Sequence, residues 1–336
     1  MPDLELALLI ASIGLALAYA YANGMNDAAN AIATVISTRA LTPAMAIVMG
    51  ATLNFGGAMM GTAVAKTIGK GIIAPELMTQ YAVLSAIAAS VIWVFFATRL
   101  GLPVSVSHSL VAAVVGSGVA VAGWAGLNTA VVAKVLLALA FSPLFGFVGG
   151  FLLMILLFWV LRRRAPATVN VAGSKLQILS AAFLSFSHGR NDGQNAIGII
   201  ALAWAVYQTH KLSTPQELEI AFWMIAVSAI AIGLGTGIGG WRVIKTLGMR
   251  VTRLDPIHGF AANTTAVAVI EAATSIGMPV STTHTSASTI MGVGATRRFS
   301  AVRWGVTRSI GLAWLVTYPV CLVLGWIISK ILIAVS

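Results

Sequence analysis

Two uncharged apolar runs constrain this chain most. LALLIASIGLALAYAYANGM starts at Leu6, and a second run fills 135–160. A helix crosses the hydrocarbon core of a bilayer with about 20 such residues. The chain is 59% hydrophobic and only 9% charged, against about 25% charged in a soluble domain. A soluble bundle with buried helices would lack the polar faces to cover itself. The composition therefore describes a polytopic membrane protein. The net charge of +11 fits basic cytoplasmic loops better than a nucleic-acid partner. The N-terminus carries Asp3 and Glu5 and no Lys or Arg, so no cleaved signal peptide is expected. Cys321 stands alone, which rules out an intramolecular disulfide and a cysteine metal site.

The chain also repeats itself. NGMNDAANAIA from Asn23 matches HGRNDGQNAIG from His188, and GLPVSVSHS from Gly101 matches GMPVSTTHT from Gly277. GTAVAKTIGK from Gly61 weakly matches GWRVIKTLGM from Gly240. The order is the same and the separations are similar, as in a duplication. The second copy is longer between its first two motifs, and the polar stretch at 209–219 accounts for the excess.

Charge orients the copies. The first begins acidic, and the second follows Arg162, Arg163 and Arg164. The positive-inside rule puts those starts on opposite faces, so each copy crosses an odd number of times. The expected fold is all-α, with two inverted-topology repeats of about five transmembrane segments each and with broken or re-entrant helices. The first repeat is 1–161, a short basic linker is 162–175, and the second repeat is 176–336. Spans are expected near 6–38, 43–65, 80–98, 103–122 and 129–161, then 176–208, 219–241, 255–275, 280–296 and 309–333. Basic loops at 242–253 and 297–308 fall inside, while Lys66 and Lys70 fall outside, against the rule. The first span of each repeat is long, so a break is expected there, with Gly24 and Gly189 freeing the backbone. Inverted repeats with broken helices mark secondary transporters, whose sites lie near the midplane.

The duplicated motifs carry the chemistry. On a helix, Asn26 and Asn30 share a face with Asp27 beside it, and Asn191, Asp192 and Asn195 repeat the pattern with Gln194 added. An Asp inside a membrane is costly and marks an ion or proton path. Carboxylate and amide oxygens are hard ligands, so Na⁺ is a candidate at Asp27 and Asp192. Single asparagines are more often interhelical hydrogen-bonding groups, but a duplicated Asn-Asp-x-x-Asn is not so easily explained. The two PVS motifs read as helix starts, where free N–H groups and the positive end of the helix dipole hold anions. Ser105, Ser107, Ser281, Thr282 and Thr283 add hydroxyls. Two such starts meeting on the repeat axis would cradle a small tetrahedral anion. His108 and His284 fit hydrogen-bonded helix starts better than metal ligands. No Walker loop and no nucleophile–base pair is present, so neither an ATP-driven pump nor an enzyme is expected.

These motifs resemble the duplicated signature of the inorganic phosphate transporter (PiT) family. PVSVSHS and PVSTTHT resemble its second paired motif, and the run DPIHGFAANTTAVAVIEAATSIGMPVSTTH resembles its late stretch. The likeness covers nearly the whole chain. It implies a secondary symporter of phosphate, or in some members sulfate, with Na⁺ or H⁺ as coupling ion and no other cofactor, in the bacterial or archaeal inner membrane. On that reading Asn26, Asp27, Asn30, Asn191, Asp192 and Asn195 serve the cation. Ser105, Ser107, Gln194, Ser281, Thr282 and Thr283 serve the anion. Met25 and Arg190 stand where the signature prefers Ala. Arg190 would hold Asp192 ionised or offer the anion a bidentate partner. Asn263 replaces a position that is often acidic, and Glu271 keeps H⁺ open as the coupled ion. A sulfate permease and an uncoupled anion channel are the rival readings. A homodimer is one assembly open to such a chain.

Overall fold

The computed structural model describes residues 2–73, 75–212 and 218–335. Among these the regular structure is helical, apart from one isolated bridge between Ile73 and Leu127. The first repeat contains α1 (Pro2–Ser37), α2 (Pro43–Ala58), α3 (Ala63–Lys66), α4 (Gln80–Leu100), α5 (Val106–Ala122) and α6 (Thr129–Leu161). The second contains α7 (Pro166–Leu212), α8 (Phe222–Ile238), α9 (Trp241–Lys245), α10 (Pro256–Ser275), α11 (Thr282–Ala295) and α12 (Trp304–Val335). The two sets correspond one to one. Even the π-helical turns recur, as Thr67–Gly71 after α3 and Thr246–Arg250 after α9.

Local chemistry sets many of these ends. Thr42 caps α2 with Pro43 in the first turn, and Thr79 caps α4. Gly101 at φ 72° and Gly277 at φ 69° turn the chain after α4 and α10, a left-handed conformation that glycine adopts without strain. Ser105 and Ser281 then cap α5 and α11.

The helices α1, α4, α6, α7 and α12 are each long and apolar enough to cross a membrane. The break expected in the first helix of each repeat lies elsewhere. α1 (36 residues) and α7 (47 residues) run unbroken through Gly24 and Gly189. A Cβ on Gly24 would stand 2.1 Å from the Ile232 carbonyl oxygen of α8, and one on Gly189 would stand 2.0 Å from that of Asn54 on α2. These glycines admit a neighbouring helix rather than unwind their own. The bends fall one element later, 63° between α2 and α3 and 59° between α8 and α9. The loop expected at 242–253 is accordingly largely helical, formed by α9 and its π turn. The linker expected at 162–175 is shortened by α7, which starts at Pro166. Of the polar stretch 209–219, residues 213–217 lie outside the described residues.

The spans expected at 103–122 and 280–296 hold shorter helices than expected. α5 has 17 residues and α11 has 14, about 26 and 21 Å at 1.5 Å per residue. A bilayer core is about 30 Å thick. Each follows α4 or α10 across a tight turn, and α1 and α7 tether the two turns. Asn26 in α1 donates to Thr98 Oγ1 at 2.7 Å and to the Leu102 carbonyl at 3.4 Å. Asn191 in α7 does the same to Thr274 and Met278, at 2.7 and 3.5 Å. Irregular backbone at such depth is tolerated only where protein or a cavity surrounds it. An odd number of crossings in each repeat inverts the second relative to the first.

The repeats interlock. α1 packs on α8 and α2 on α7, while α5 packs on α12 and α11 on α6. Closest approach again needs glycine: a Cβ on Gly116 would meet the Leu322 carbonyl oxygen at 2.0 Å, and one on Gly292 that of Phe147 at 2.1 Å.

Candidate functional site

α1 and α7 lie against each other, which brings the two Asn-Asp motifs together at the repeat axis. Asp27 and Asp192 are each 1% exposed. Hydroxyls from the start of α11 bind both. Thr283 Oγ1 donates to Asp27 Oδ1 at 2.8 Å. Thr282 Oγ1 lies 3.0 Å from Asp192 Oδ2 and 3.4 Å from Asp27 Oδ2. Asn30 reaches the same two threonines, Thr283 at 3.1 Å and Thr282 at 3.5 Å. Asn195 donates to Ser107 Oγ at the start of α5, at 2.8 Å. Residues from four helices thus form one buried polar centre.

His188 completes it. Its Nε2 is 3.2 Å from Asp192 Oδ2 and 3.5 Å from Asp27 Oδ2. Its Nδ1 is 3.0 Å from Asn54 Oδ1, and Asn54 in turn donates to Thr236 at 2.7 Å. With the Asn54 amide nitrogen committed to Thr236, its oxygen is the acceptor for His188 Nδ1–H. The ligating atoms of Asp27, His188 and Asp192 all lie within 4.8 Å of one another, close enough to share a small cation.

The acceptor inventory points the same way. The side-chain oxygens of Asn26, Asn30, Asn191 and Asn195, with Asp192 Oδ1, are buried and receive no hydrogen bond. A buried polar atom left unsatisfied costs about 1–3 kcal/mol. These oxygens belong to the two matched motifs, and such a set of hard acceptors suits a cation.

The helix starts behave as caps. Ser105 Oγ accepts from the His108 amide at 3.2 Å, and Ser281 Oγ from the His284 amide at 3.1 Å. The His108 and His284 rings face each other at 4.6 Å, with Trp314 against His284 at 3.9 Å. The two helix starts therefore do meet.

Some expected site residues turn elsewhere. Arg190 neither holds Asp192 nor faces the hydroxyls. It pairs with Glu271 of α10, because residues two apart on a helix do not share a face. Gln194 faces α3, where its Oε1 accepts from the Val64 and Ala65 amides at 2.8 and 3.2 Å. It satisfies that short helix's start and is withdrawn from the hydroxyl cluster. The amide nitrogens of Asn26 and Asn191 tether the two turns. Asn263 accepts from Thr34 at 3.1 Å.

Other participants were not singled out from the sequence. His188 opens the second motif, and its four-residue spacing to Asp192 was the available signal. Tyr19, whose hydroxyl donates to the Val106 carbonyl at 3.2 Å, and Asn54 are lone polar residues on apolar helices and announce nothing.

The comparisons agree with this architecture. The profile of the phosphate transporter family matches residues 23–172 and again 161–325. A probable low-affinity inorganic phosphate transporter of Bacillus subtilis (strain 168) is 40% identical over 332 residues, covering 98% of both chains. One from Rhizobium meliloti (strain 1021) is 39% identical over 317 residues, covering 94% of both. A solved structure described as the sodium-dependent phosphate transporter superposes with a TM-score of 0.88 at 27% identity, covering 98% of this chain and 100% of that one. The chain belongs to the phosphate transporter family, as a multi-pass membrane transporter and not an enzyme.

Proposed function

We propose that this protein is a symporter that carries inorganic phosphate into the cell across the plasma membrane, driven by Na⁺. The observation that carries the reading is the buried pair Asp27 and Asp192, set among motif oxygens that receive no hydrogen bond. The names of its relatives point to phosphate, and the similar solved structure is that of a sodium-dependent transporter. The working parts are the repeats 1–161 and 176–336, joined through 162–175. Asp27 and Asp192 hold the cation with the oxygens of Asn26, Asn30, Asn191 and Asn195. Ser105, Ser107, Ser281, Thr282 and Thr283, with the first amides of α5 and α11, hold the anion. Gln194, with its oxygen engaged at α3, stays outside that set.

The geometry also suggests how the two solutes couple. Thr282 and Thr283 spend their hydroxyl protons on Asp27 and Asp192. A cation on those carboxylates competes for the same lone pairs. The freed hydroxyls can then turn to an anion, and the cation offsets the charge that would repel it. Anion binding is thereby made conditional on cation binding.

The test is uptake of labelled phosphate into proteoliposomes, with Na⁺ and pH gradients imposed separately. Accumulation above equilibrium under the Na⁺ gradient alone is expected, which an uncoupled channel cannot produce. Accumulation under the pH gradient alone would reassign the coupling ion to H⁺. Phosphate keeps a P–OH donor that an ionised carboxylate can accept, and sulfate near neutral pH has none. Excess arsenate should therefore compete strongly and sulfate weakly. The reverse order would make the chain a sulfate permease.

A further inference from the structure

A groove of about 620 Å³ opens between α6 and α12. Its walls are matched pairs, Leu136 with Gly311, Ala140 with Leu315 and Pro143 with Tyr318, each 175 residues apart like the starts of α6 and α12. Its floor is the ring pair His108 and His284. Mates from the two repeats line one groove together where the repeat axis passes through it. In an inverted-repeat transporter that axis lies in the membrane plane, near the midplane. The groove is therefore a recess at mid-depth. Leu136 and Leu315 are exposed, on helices long and apolar enough to cross a membrane, so the recess opens toward lipid. A Cβ on Gly311 would meet nothing within 4 Å. Ser107, Thr282 and Thr283, on the same two helix starts as the histidines, face the buried centre instead. The starts of α5 and α11 thus separate the recess from that centre.

Arg308 breaks the match. It lines the end of the groove nearest the start of α12, where the first repeat has Ala133. Other arginines of the second repeat are engaged: Arg190 and Arg297 pair with Glu271 and Asp255, and Arg242 and Arg303 donate to carbonyls. Arg308 is exposed and has no hydrogen-bond or ion-pair partner among the described residues. Its depth is marked by its neighbours. Trp304 stacks on Phe299 at 4.6 Å, both exposed, with Arg298 and Arg303 beside them in sequence. Aromatic and basic residues together mark a membrane–water interface. Arg308 stands one turn further in, about 10 Å along α12 from Leu315. Half a bilayer core is about 15 Å thick, and an arginine stem spans the difference. A free guanidinium thus sits at headgroup depth, above a recess that reaches the midplane.

We infer that this recess is a binding site for an anionic phospholipid, with the headgroup phosphate on Arg308 and one acyl chain laid between α6 and α12 as far as the histidine pair. A guanidinium takes two phosphate oxygens in one fork of N–H donors. The chain is held by close packing against the apolar walls, the force that operates between apolar surfaces within a bilayer. Trp314 carries the consequence. It lines the groove, donates from Nε1 to the Pro103 carbonyl in the turn before α5 at 3.0 Å, and lays its ring 3.9 Å from that of His284 on α11. A chain in the recess backs Trp314 against both helix starts and so steadies the anion cradle they form. The link to the cradle rests on the phosphate-transport reading; the lipid site does not.

The probe is phosphatidylglycerol with a photoreactive diazirine near the end of one acyl chain, offered to the purified protein in detergent. Labelling of α6 and α12 is expected in the wild type. Unlabelled phosphatidylglycerol should compete about tenfold better than phosphatidylcholine with the same chains, and oleate should compete poorly. Arg308→Gln should erase the preference for phosphatidylglycerol, and Arg308→Lys should keep part of it. Gly311→Phe, which fills the recess with its own ring, should abolish the labelling; if it fails to fold, Ala140→Phe fills the recess from the other wall. Equal competition by the two phospholipids in the wild type, a preference that survives Arg308→Gln, or labelling that survives both filled variants would each overturn the inference. Stronger competition by oleate would give the site to a free fatty acid and overturn the headgroup assignment. Disulfide-linked dimers of Gly311→Cys in a Cys321→Ser background, with no lipid labelling, would give the recess to a second copy and overturn it as well. Labelled phosphate uptake then tests the cradle. In the wild type, KM for phosphate should be at least about fivefold higher in liposomes of phosphatidylcholine alone than in liposomes with phosphatidylglycerol added. Arg308→Gln should show the higher KM in both. One KM for the wild type in both liposomes would overturn the link to the cradle. Absence of uptake by the wild type in either would instead overturn the transport reading and leave the lipid site standing.

Discussion

Asp27 and Asp192 accept hydrogen bonds from neighbouring threonine hydroxyls at the start of α11, and His188 stands between them. A carboxylate so placed serves either as a ligand for a cation or as an acceptor that pins α11. Asp27→Asn separates the roles, since it keeps size and an acceptor oxygen while removing the charge. Accumulation of labelled phosphate should fall at least about tenfold in Asp27→Asn and in Asp192→Asn, with melting temperature in detergent within a few degrees of wild type. Full uphill transport in both variants would make the carboxylates structural. These two residues were legible in the sequence because each occurs twice, in matched motifs. His188 was not, because its counterpart is Asn23 and no pair drew attention to it. The roles of Gln194 and Arg190 depend on Val64, Ala65 and Glu271, partners distant in sequence that no local pattern names.

At the level of elements, the sequence revealed where helices start better than how deep they reach. The PVS motifs marked the starts of α5 and α11 correctly, since Pro and Ser act through local capping. That these helices are so short was hidden. Both are buried on almost every side, so they look as apolar as any full span. The broken helices were expected but misplaced, because a glycine that unwinds a helix and a glycine that admits a neighbour read identically. The second kind can be tested. Gly116 on α5 faces the Leu322 carbonyl of α12, with a Cβ position only 2.0 Å from that oxygen. The clash is with backbone and cannot be relieved by a rotamer change. Gly116→Val should destabilise the protein by roughly 1–3 kcal/mol or more, read as an early thermal transition in detergent. Gly14, with nothing within 4 Å of its Cβ position, is the control: Gly14→Ala should leave the transition unmoved.

For the whole molecule, the interlocking of the repeats has a topological consequence. Two copies related by an axis in the membrane plane can exchange partners, α1 with α8 and α2 with α7, only if they enter the membrane from opposite sides. The matched tethers at Asn26 and Asn191 show how closely the copies keep one design while facing opposite ways. By the positive-inside rule the acidic start at Asp3 is expected outside and the arginines at 162–164 inside. A Cys321→Ser background removes the one native thiol, itself buried. Single cysteines are then placed at Asp3 and at Ala165, and intact cells are treated with a membrane-impermeant thiol reagent. Asp3→Cys should label in intact cells, and Ala165→Cys only after the membrane is opened. Labelling of Ala165→Cys alone would reverse the orientation while keeping the inversion. Equal labelling of both in intact cells would place the two starts on one face, which an odd number of crossings per repeat forbids.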